Sequence, residues 1–298
     1  MQNCRNYSKF ARFILKLMMP IHDLEELREK INHRSSEKSN LALVPTMGAL
    51  HEGHLSLIRK AVAENKLVVI SIFVNPTQFD NKEDLEKYPR DLATDLKKIA
   101  AISPACFVFA PKVSVLYPNG LRKGKYNLKG LDSAMEGAHR KGHFQGVCTI
   151  VEALLTLVAP DVAYFGEKDF QQLQIIRHMV IDRKIPVRIV GCPIIREESG
   201  LAMSSRNQRL SISSREKAGN IYRILGAAKE KFGTESATQV ADWVQKEIKS
   251  IPELKLEYFE IANEISLLPV RRKRKTGKYR AFMAVYIDGI RLIDNIAL

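Results

Sequence analysis

The chain has 298 residues, 45% hydrophobic and 27% charged, the composition of a soluble globular protein large enough for one big domain or two smaller ones; no apolar run is long enough to span a bilayer. Lysine plus arginine number 47 against 33 acids, a formal net charge of +14, which favours anionic partners without choosing among nucleic acid, a membrane surface and small phosphorylated substrates. Four widely spaced cysteines (Cys4, Cys106, Cys148, Cys192) with no Cys-x-x-Cys pair indicate neither a zinc site nor a disulfide framework, and a reducing cytosol is the expected compartment.

Residues 1–19 carry Arg5, Lys9, Arg12 and Lys16 with no acid before Asp23. That pattern suits an organellar presequence or a basic amphipathic helix. Helix-like sequence with Asp23, Glu25 and Glu26 starts directly after Pro20, however, so Met18 or Met19 is the expected functional start and the tail before it is expected to be dispensable. A chain starting at Met19 should fold and function as the full chain does. Loss of solubility, or a fall of several degrees in Tm, would make the tail structural.

Residues 45–54 read Pro-Thr-Met-Gly-Ala-Leu-His-Glu-Gly-His, behind an apolar run at 41–44 and ahead of Leu55, Leu57, Ile58, Ala61 and Val62 at helical spacing. The stretch therefore reads as strand, glycine turn and helix. Gly48 would let a ligand approach the backbone, and a helix beginning near Gly53 presents N–H groups and a positive dipole end to an anion. His51 and His54, three residues apart, can face one ligand. Zinc is disfavoured, because His-Glu-x-x-His spacing and a third ligand are both missing.

Short β-rich runs follow at 67–74, 106–110, 162–165 and 187–191, with helical patterns at 53–64, 91–102, 144–158 and 170–182. This alternation predicts a Rossmann-like, doubly wound parallel sheet, in which ligands bind beyond the carboxyl ends of the strands. The residues there are Asn75-Pro76-Thr77-Gln78-Phe79 and Gly166-Glu167-Lys168-Asp169-Phe170-Gln171-Gln172. From about Ile195 the pattern changes to helices at 214–232 and 237–250 and strands at 255–261, 281–287 and 291–295, a smaller C-terminal α+β domain. The expected division is thus a basic tail at 1–19, a Rossmann-like ligand-binding domain at 20–194 and a smaller C-terminal α+β domain at 195–298. The run Arg271-Arg272-Lys273-Arg274-Lys275 precedes Thr276-Gly277-Lys278, a turn signal, and reads as a solvated loop rather than a nucleic-acid patch. At the domain border, Met203-Ser204-Ser205-Arg206 offers hydroxyls, backbone N–H groups and a bidentate guanidinium; taken by itself it reads as a polar interdomain loop, with a second phosphate clamp as the alternative.

Together these stretches resemble the pantothenate synthetase family, the pantoate:beta-alanine ligases of the class I synthetase and nucleotidyltransferase superfamily. The matching pieces are residues 45–54, 69–79, Tyr88-Pro89-Arg90, 142–147, 165–172 and 200–207, in the family's order over most of the first two thirds. The resemblance implies that ATP and pantoate form a pantoyl adenylate with loss of pyrophosphate, after which the amine of beta-alanine attacks the acyl carbon to release AMP and pantothenate. It places ATP against Met47, Gly48, Ala49, Leu50, His51, Glu52, Gly53 and His54, against Gly166, Glu167, Lys168 and Asp169, and against Ile195, Met203, Ser204, Ser205 and Arg206. His54 falls where the family has its proton donor, and His51, Lys168, Ser204, Ser205 and Arg206 complete the expected catalytic set. Charge builds on phosphate oxygens in such a step, so fixed positive donors rather than a nucleophile are the natural catalysts.

The resemblance further assigns pantoate to Gln78 and Gln172, with beta-alanine beside Gln78. A neutral amide suits this task, being able to donate and accept without a competing charge. Mg²⁺ would accompany ATP, with Asp95 the expected carboxylate and Asp91 the alternative. A cytoplasmic homodimer handling small molecules, without nucleic acid or membrane, is also expected. Where the family reads Arg-Pro-Gly-His-Phe, this chain has Arg140-Lys141-Gly142-His143-Phe144, so the loop loses a fixed φ. A nucleotidylyltransferase that stops after AMP transfer and a nucleic-acid-binding protein are the alternatives.

Overall fold

The computed structural model describes residues 19–35, 39–79, 82–274 and 276–298. The expectations for the basic tail thus fall, Met19 apart, outside the described residues. The chain forms two compact units. The first contains the described residues up to Tyr126 together with Gly142–Phe165 and Ile176–Cys192; the second contains Asn127–Lys141, Gly166–Ile175 and Pro193–Leu298.

The first unit is built on five strands, β1 (Leu41–Thr46), β2 (Leu67–Ile72), β3 (Phe107–Phe109), β4 (Val162–Gly166) and β5 (Arg188–Cys192), in the order β3-β2-β1-β4-β5. β1 is parallel to both β2 and β4, and β2 is parallel to β3. The chain moves outward from β1 to β3 and then returns to the other side of β1, so the reversal of strand order lies between β1 and β4. The first three strands are buried along almost their whole length, as near-continuous apolar runs such as Leu-Val-Val-Ile require of a sheet covered on both faces.

The longer helices, in chain order, are α1 (Leu24–Arg34), α2 (Glu52–Glu64), α3 (Leu92–Ile102), α4 (His143–Val158), α5 (Phe170–Asp182), α6 (Asn220–Phe232) and α7 (Ala237–Lys249). Leu55, Ile58 and Ala61 of α2 and Leu96 and Ile99 of α3 pack in one core with Ala42, Val44, Val68, Ile70 and Val108 from the strands. Gly142 heads α4 at φ 74, and its carbonyl accepts from the Lys123 ammonium at 3.0 Å. Lys141, in the place of the family's proline, is exposed.

The second unit holds an antiparallel sheet of β6 (Lys255–Asn263), β7 (Tyr279–Ile287) and β8 (Ile290–Ala297), against which α6 and α7 pack through Ile221, Ile224, Leu225, Val240 and Val244. The single helix expected at 214–232 is broken into Ile212–Ala218 and α6 at Gly219, where a Cβ would stand 2.4 Å from the Ser199 carbonyl oxygen. Close approach of another backbone selects glycine there, and Gly219 itself keeps helical dihedrals (φ −57, ψ −25) with its N–H donating to the Glu216 carbonyl at 3.0 Å, so the break is a tightening of one turn. Arg271, Arg272, Lys273 and Arg274 are exposed, as a solvated loop demands, and the Lys273 ammonium donates to the carbonyls of Phe232 and Gly233 at the C-terminal end of α6.

Residues 127–141 and 166–175 belong to the second unit, whereas a division at residue 194 assigns them to the first. Side chains explain their place. The buried Gln171 amide donates to the Leu131 and Ala134 carbonyls (2.8 and 2.9 Å) and accepts from Glu136 N (3.0 Å). Glu136, 7% exposed, accepts both terminal nitrogens of Arg291 (2.9 and 2.7 Å) and the Tyr258 hydroxyl (2.8 Å), with Arg140 at 3.6 Å. Burial opposes its ionisation, but the hydrogen bonds and charge of Arg291, helped by Arg140 and Tyr258, prevail and hold its carboxyl at about 2.

Candidate active site

In the first unit, the chain leaves β1 at Thr46, whose hydroxyl donates to the Ser71 carbonyl at 2.8 Å and lies 3.2 Å from Gly48 N. Gly48 and Ala49 then take φ values of 78 and 50, two successive left-handed residues. Glycine is needed at the first of them, since a Cβ on Gly48 would lie 3.0 Å from Asp95 Oδ2 and 3.1 Å from Ile72. Strain of this kind persists only where neighbours hold it. Here the holder is Asp95 of α3, whose two carboxylate oxygens accept Ala49 N (2.9 Å) and Leu50 N (2.8 Å). Burial raises its pKa and the two N–H bonds act against the rise.

This placement of Asp95 does not fit the expected role beside Mg²⁺. The side chain is 2% exposed and both oxygens are engaged by the backbone of the glycine turn. Asp91, the alternative, caps α3 by accepting from Thr94 N and Oγ1 at 3.0 and 2.7 Å. Among the described residues no group of three or more His, Cys, Asp and Glu is arranged to hold a metal ion.

The turn delivers His51 as N-cap of α2 and His54 into its first turn, with ring centroids 4.0 Å apart. His54 Nδ1 accepts from His51 N at 3.4 Å. An accepting Nδ1 places the proton of the neutral ring on Nε2. His54 thus presents an N–H at the N-terminal end of a helix, where an anion is favoured.

Gln78 sits on the loop after β2, in a 3-10 turn capped by Asn75. Asn75 Nδ2 donates to the Gly146 carbonyl (3.2 Å) and its Oδ1 accepts Thr77 N (3.3 Å) and the Tyr117 hydroxyl (2.5 Å), so two backbone groups fix the orientation of this amide. The same Nδ2 meets Gln78 Oε1 at 3.1 Å, and the Gln78 amino group consequently points to Met47 Sδ at 3.0 Å. Met47 and Gln78, far apart in sequence, are brought together, and Gln78 is set to donate. The main-chain carbonyl of Gln78 pairs with His143 Nδ1 at 2.7 Å.

In the second unit, Glu167, Lys168 and Asp169 form a 3-10 turn that runs into α5, with Lys168 half-buried and Gln172 in the first turn of that helix. Ile195 and Met203 are joined in a small hairpin by Met203 N donating to the Ile195 carbonyl at 2.9 Å, with Gly200 at its tip at φ 88. The hairpin is pinned from β8, where Asp294 takes Arg196 in a bidentate pair (2.6 and 3.0 Å); the same guanidinium lies 3.7 Å over the Tyr222 ring. Ser204, Ser205 and Arg206 follow. The Ser204 hydroxyl accepts Arg206 N at 3.3 Å and caps a 3-10 turn, Ser205 is buried, and the Arg206 side chain is half-buried. Asn207 closes the turn by donating to Glu197 (2.7 Å) and to the Ala202 carbonyl (3.1 Å).

The supporting residues Glu197, Asp294 and Asn295, the last of which donates to the main-chain carbonyls of Glu167 and Lys168, carry no motif. A faint signal exists for the last two, since adjacent Asp and Asn interrupt the otherwise apolar end of a strand.

Residues 19–297 match the sequence pattern of the family described as Pantoate-beta-alanine ligase. Pantothenate synthetase of Christiangramia forsetii is 51% identical over 281 residues, covering 94% of this chain and 99% of the relative, and that of Bacteroides fragilis is 45% identical over 279 residues, covering 94% and 98%. Among solved structures, pantothenate synthetase from Thermus thermophilus superposes with a TM-score of 0.85 at 40% identity, over 94% of this chain and 99% of that one. A Francisella tularensis pantoate-beta-alanine ligase complexed with beta-gamma ATP and beta-alanine gives a TM-score of 0.76 at 35% identity, over 94% and 97%. With matches of this extent on both sequence and structure, the chain belongs to the pantoate-beta-alanine ligase family.

Proposed function

We propose that this chain condenses pantoate with beta-alanine to pantothenate in two steps, using His51, His54, Lys168, Ser204, Ser205 and Arg206 on the phosphates of ATP and Gln78 and Gln172 on pantoate. The observation that carries the residue roles is the histidine pair at the head of α2, held by a turn whose strained backbone Asp95 anchors. In the first step a pantoate carboxylate oxygen attacks the α-phosphorus and pyrophosphate departs. Negative charge grows on the α-phosphate oxygens and on the leaving group, and fixed donors aimed at those positions lower the barrier without reorganising. His54 Nε2–H, the Lys168 ammonium and the Arg206 guanidinium are such donors. In the second step the amine of beta-alanine attacks the acyl carbon, the tetrahedral intermediate collapses, and AMP leaves.

Mg²⁺ would enter with ATP and would offset the charge of its phosphates. Met47 to Leu50, Glu52, Gly53, Gly166, Glu167, Asp169, Ile195 and Met203 complete the set that the family resemblance places against the nucleotide. The enzyme works as a homodimer in the cytosol, a reading supported by the family resemblance and, for the compartment, by Cys106, Cys148 and Cys192 being buried and not joined by disulfides.

Pantoate-dependent exchange of labelled pyrophosphate into ATP tests the first step; no exchange would remove the reading. AMP release that requires beta-alanine separates a ligase from a nucleotidylyltransferase that stops at AMP transfer.

Gln172→Ala should raise the pantoate KM roughly tenfold or more, because a hydrogen bond to a carboxylate is worth about 1.5–3 kcal/mol, while the ATP KM changes less than about threefold. Gln78→Ala should impair pantoate use as well, and beta-alanine use with it. Separate calorimetric titrations of ATP and pantoate check the division. Weakened ATP binding with pantoate affinity spared, in either variant, would reverse it.

A further inference from the structure

Asp294 and Asn295 are consecutive residues of β8, and adjacent side chains on a strand leave its opposite faces. Asp294 serves the 195–203 hairpin through Arg196. Asn295, 2% exposed, serves a different segment, with Nδ2 donating to the main-chain carbonyls of Glu167 (3.0 Å) and Lys168 (2.8 Å) and Oδ1 accepting from Arg280 Nη1 (2.6 Å). Two carbonyls can only accept and a guanidinium can only donate, so the amide has one orientation. Arg280 is itself fixed, by Glu264 Oε1 at 3.0 Å and by lying 3.8 Å over the Phe170 ring.

A three-residue 3-10 turn has few internal hydrogen bonds with which to hold its own shape. Two successive carbonyls tied to one rigid amide fix the two peptide planes on either side of the Lys168 Cα, and with them the direction in which the Lys168 side chain leaves the backbone. Nothing in the motif Gly-Glu-Lys-Asp supplies that restraint; it comes from a residue 127 positions further along the chain.

We propose that Asn295 is a positioning residue for adenylation, setting the place of the Lys168 ammonium through the main chain of Glu167 and Lys168; this rests on the role given to Lys168 above. Displacing a reacting or charge-stabilising group by about 1 Å lowers a rate by up to about 10²-fold, so loss of the restraint should act on the chemical step and leave substrate binding nearly untouched.

The test measures single-turnover adenylate formation in Asn295→Ala, Lys168→Ala and the double variant, with pantoate Kd and Tm for each. Asn295→Ala should be slower by about 10- to 100-fold with pantoate Kd changed less than about twofold, and the double variant should be no slower than Lys168→Ala, because the two residues act as one unit. A normal rate in Asn295→Ala beside a slow Lys168→Ala would overturn the proposal while leaving the role of Lys168 intact, and so would losses that add in the double variant. A normal rate in Lys168→Ala would remove the underlying reading itself. Should alanine at this buried site fail to fold, Asn295→Asp keeps the shape and the acceptor for Arg280, loses both donors, and must show the same slowing.

Discussion

Lys168→Ala is expected to slow formation of the pantoyl adenylate by on the order of 10² or more, the range for loss of one preorganised donor of positive charge. A unit charge about 4 Å from a phosphate oxygen is worth roughly 4 kcal/mol at an effective dielectric of 20 and about 1 kcal/mol in bulk water, so an effect of this size also requires the site to exclude solvent during the step. Lys168 is half-buried, on a turn whose main chain is tied to Asn295. A single-turnover measurement, with quenched samples analysed for adenylate, isolates chemistry from product release. Near-normal adenylate formation would rule out the role. A rise in the ATP KM alone would make Lys168 a binding residue that contributes equally to ground and transition states.

Arg291→Ala is expected to destabilise the second unit by about 3–5 kcal/mol, the usual consequence of leaving a buried charge without its partner. Arg291 grips Glu136 with both terminal nitrogens and also bonds Glu257, at 2.9 Å through Nε. The carboxyl of Glu136 is held at about 2, below its ordinary 4.5. A depressed carboxylate pKa contributes stability that is complete above the unfolded value and is lost as pH falls through the folded one, so the wild-type chain should lose the contribution between about pH 4.5 and pH 2. A shift of that size corresponds to about 3 kcal/mol, of the same order as the mutational estimate. In Arg291→Ala only Arg140 and Tyr258 remain to offset the desolvation of Glu136, so its carboxyl pKa should rise and the acid loss should move to higher pH. Urea denaturation at pH 7 and pH 4 reads both effects. An unchanged urea midpoint at pH 7 would mean that the cluster contributes nothing to stability.

Much of the first unit was legible without coordinates. Its strands are near-continuous apolar runs, which only a sheet covered on both faces requires, and its helices repeat apolar residues at 3.6 spacing, so both signals are strong and local. The helix α5 falls on the expected 170–182, and the other boundaries move by a few residues. The candidate site was legible for a related reason. Its residues follow directly on strand ends, and the sequence alone therefore placed His51, His54, Gln78, Lys168 and Gln172 on loops or helix starts beyond the sheet.

What sequence order could not disclose were the contacts of high separation. The glycine turn is held by Asp95, the Lys168 turn by Asn295, and residues 127–141 by Arg291 and Gln171, each partner lying tens to more than a hundred positions away. Asp95 shows the limit most clearly. As a carboxylate after Tyr-Pro-Arg it reads as a metal ligand, and only the packing of α3 beside the turn turns its oxygens to Ala49 and Leu50. Gly219 shows the same limit within a helical stretch, where the periodicity is unbroken and only the Ser199 carbonyl packed against it shows why the residue is glycine. Local periodicity and turn chemistry determined which elements form and where the reactive side chains sit along the chain. Which buried polar group satisfies which distant backbone was decided by tertiary packing alone, because a hydrogen bond between separated segments leaves no period in the sequence.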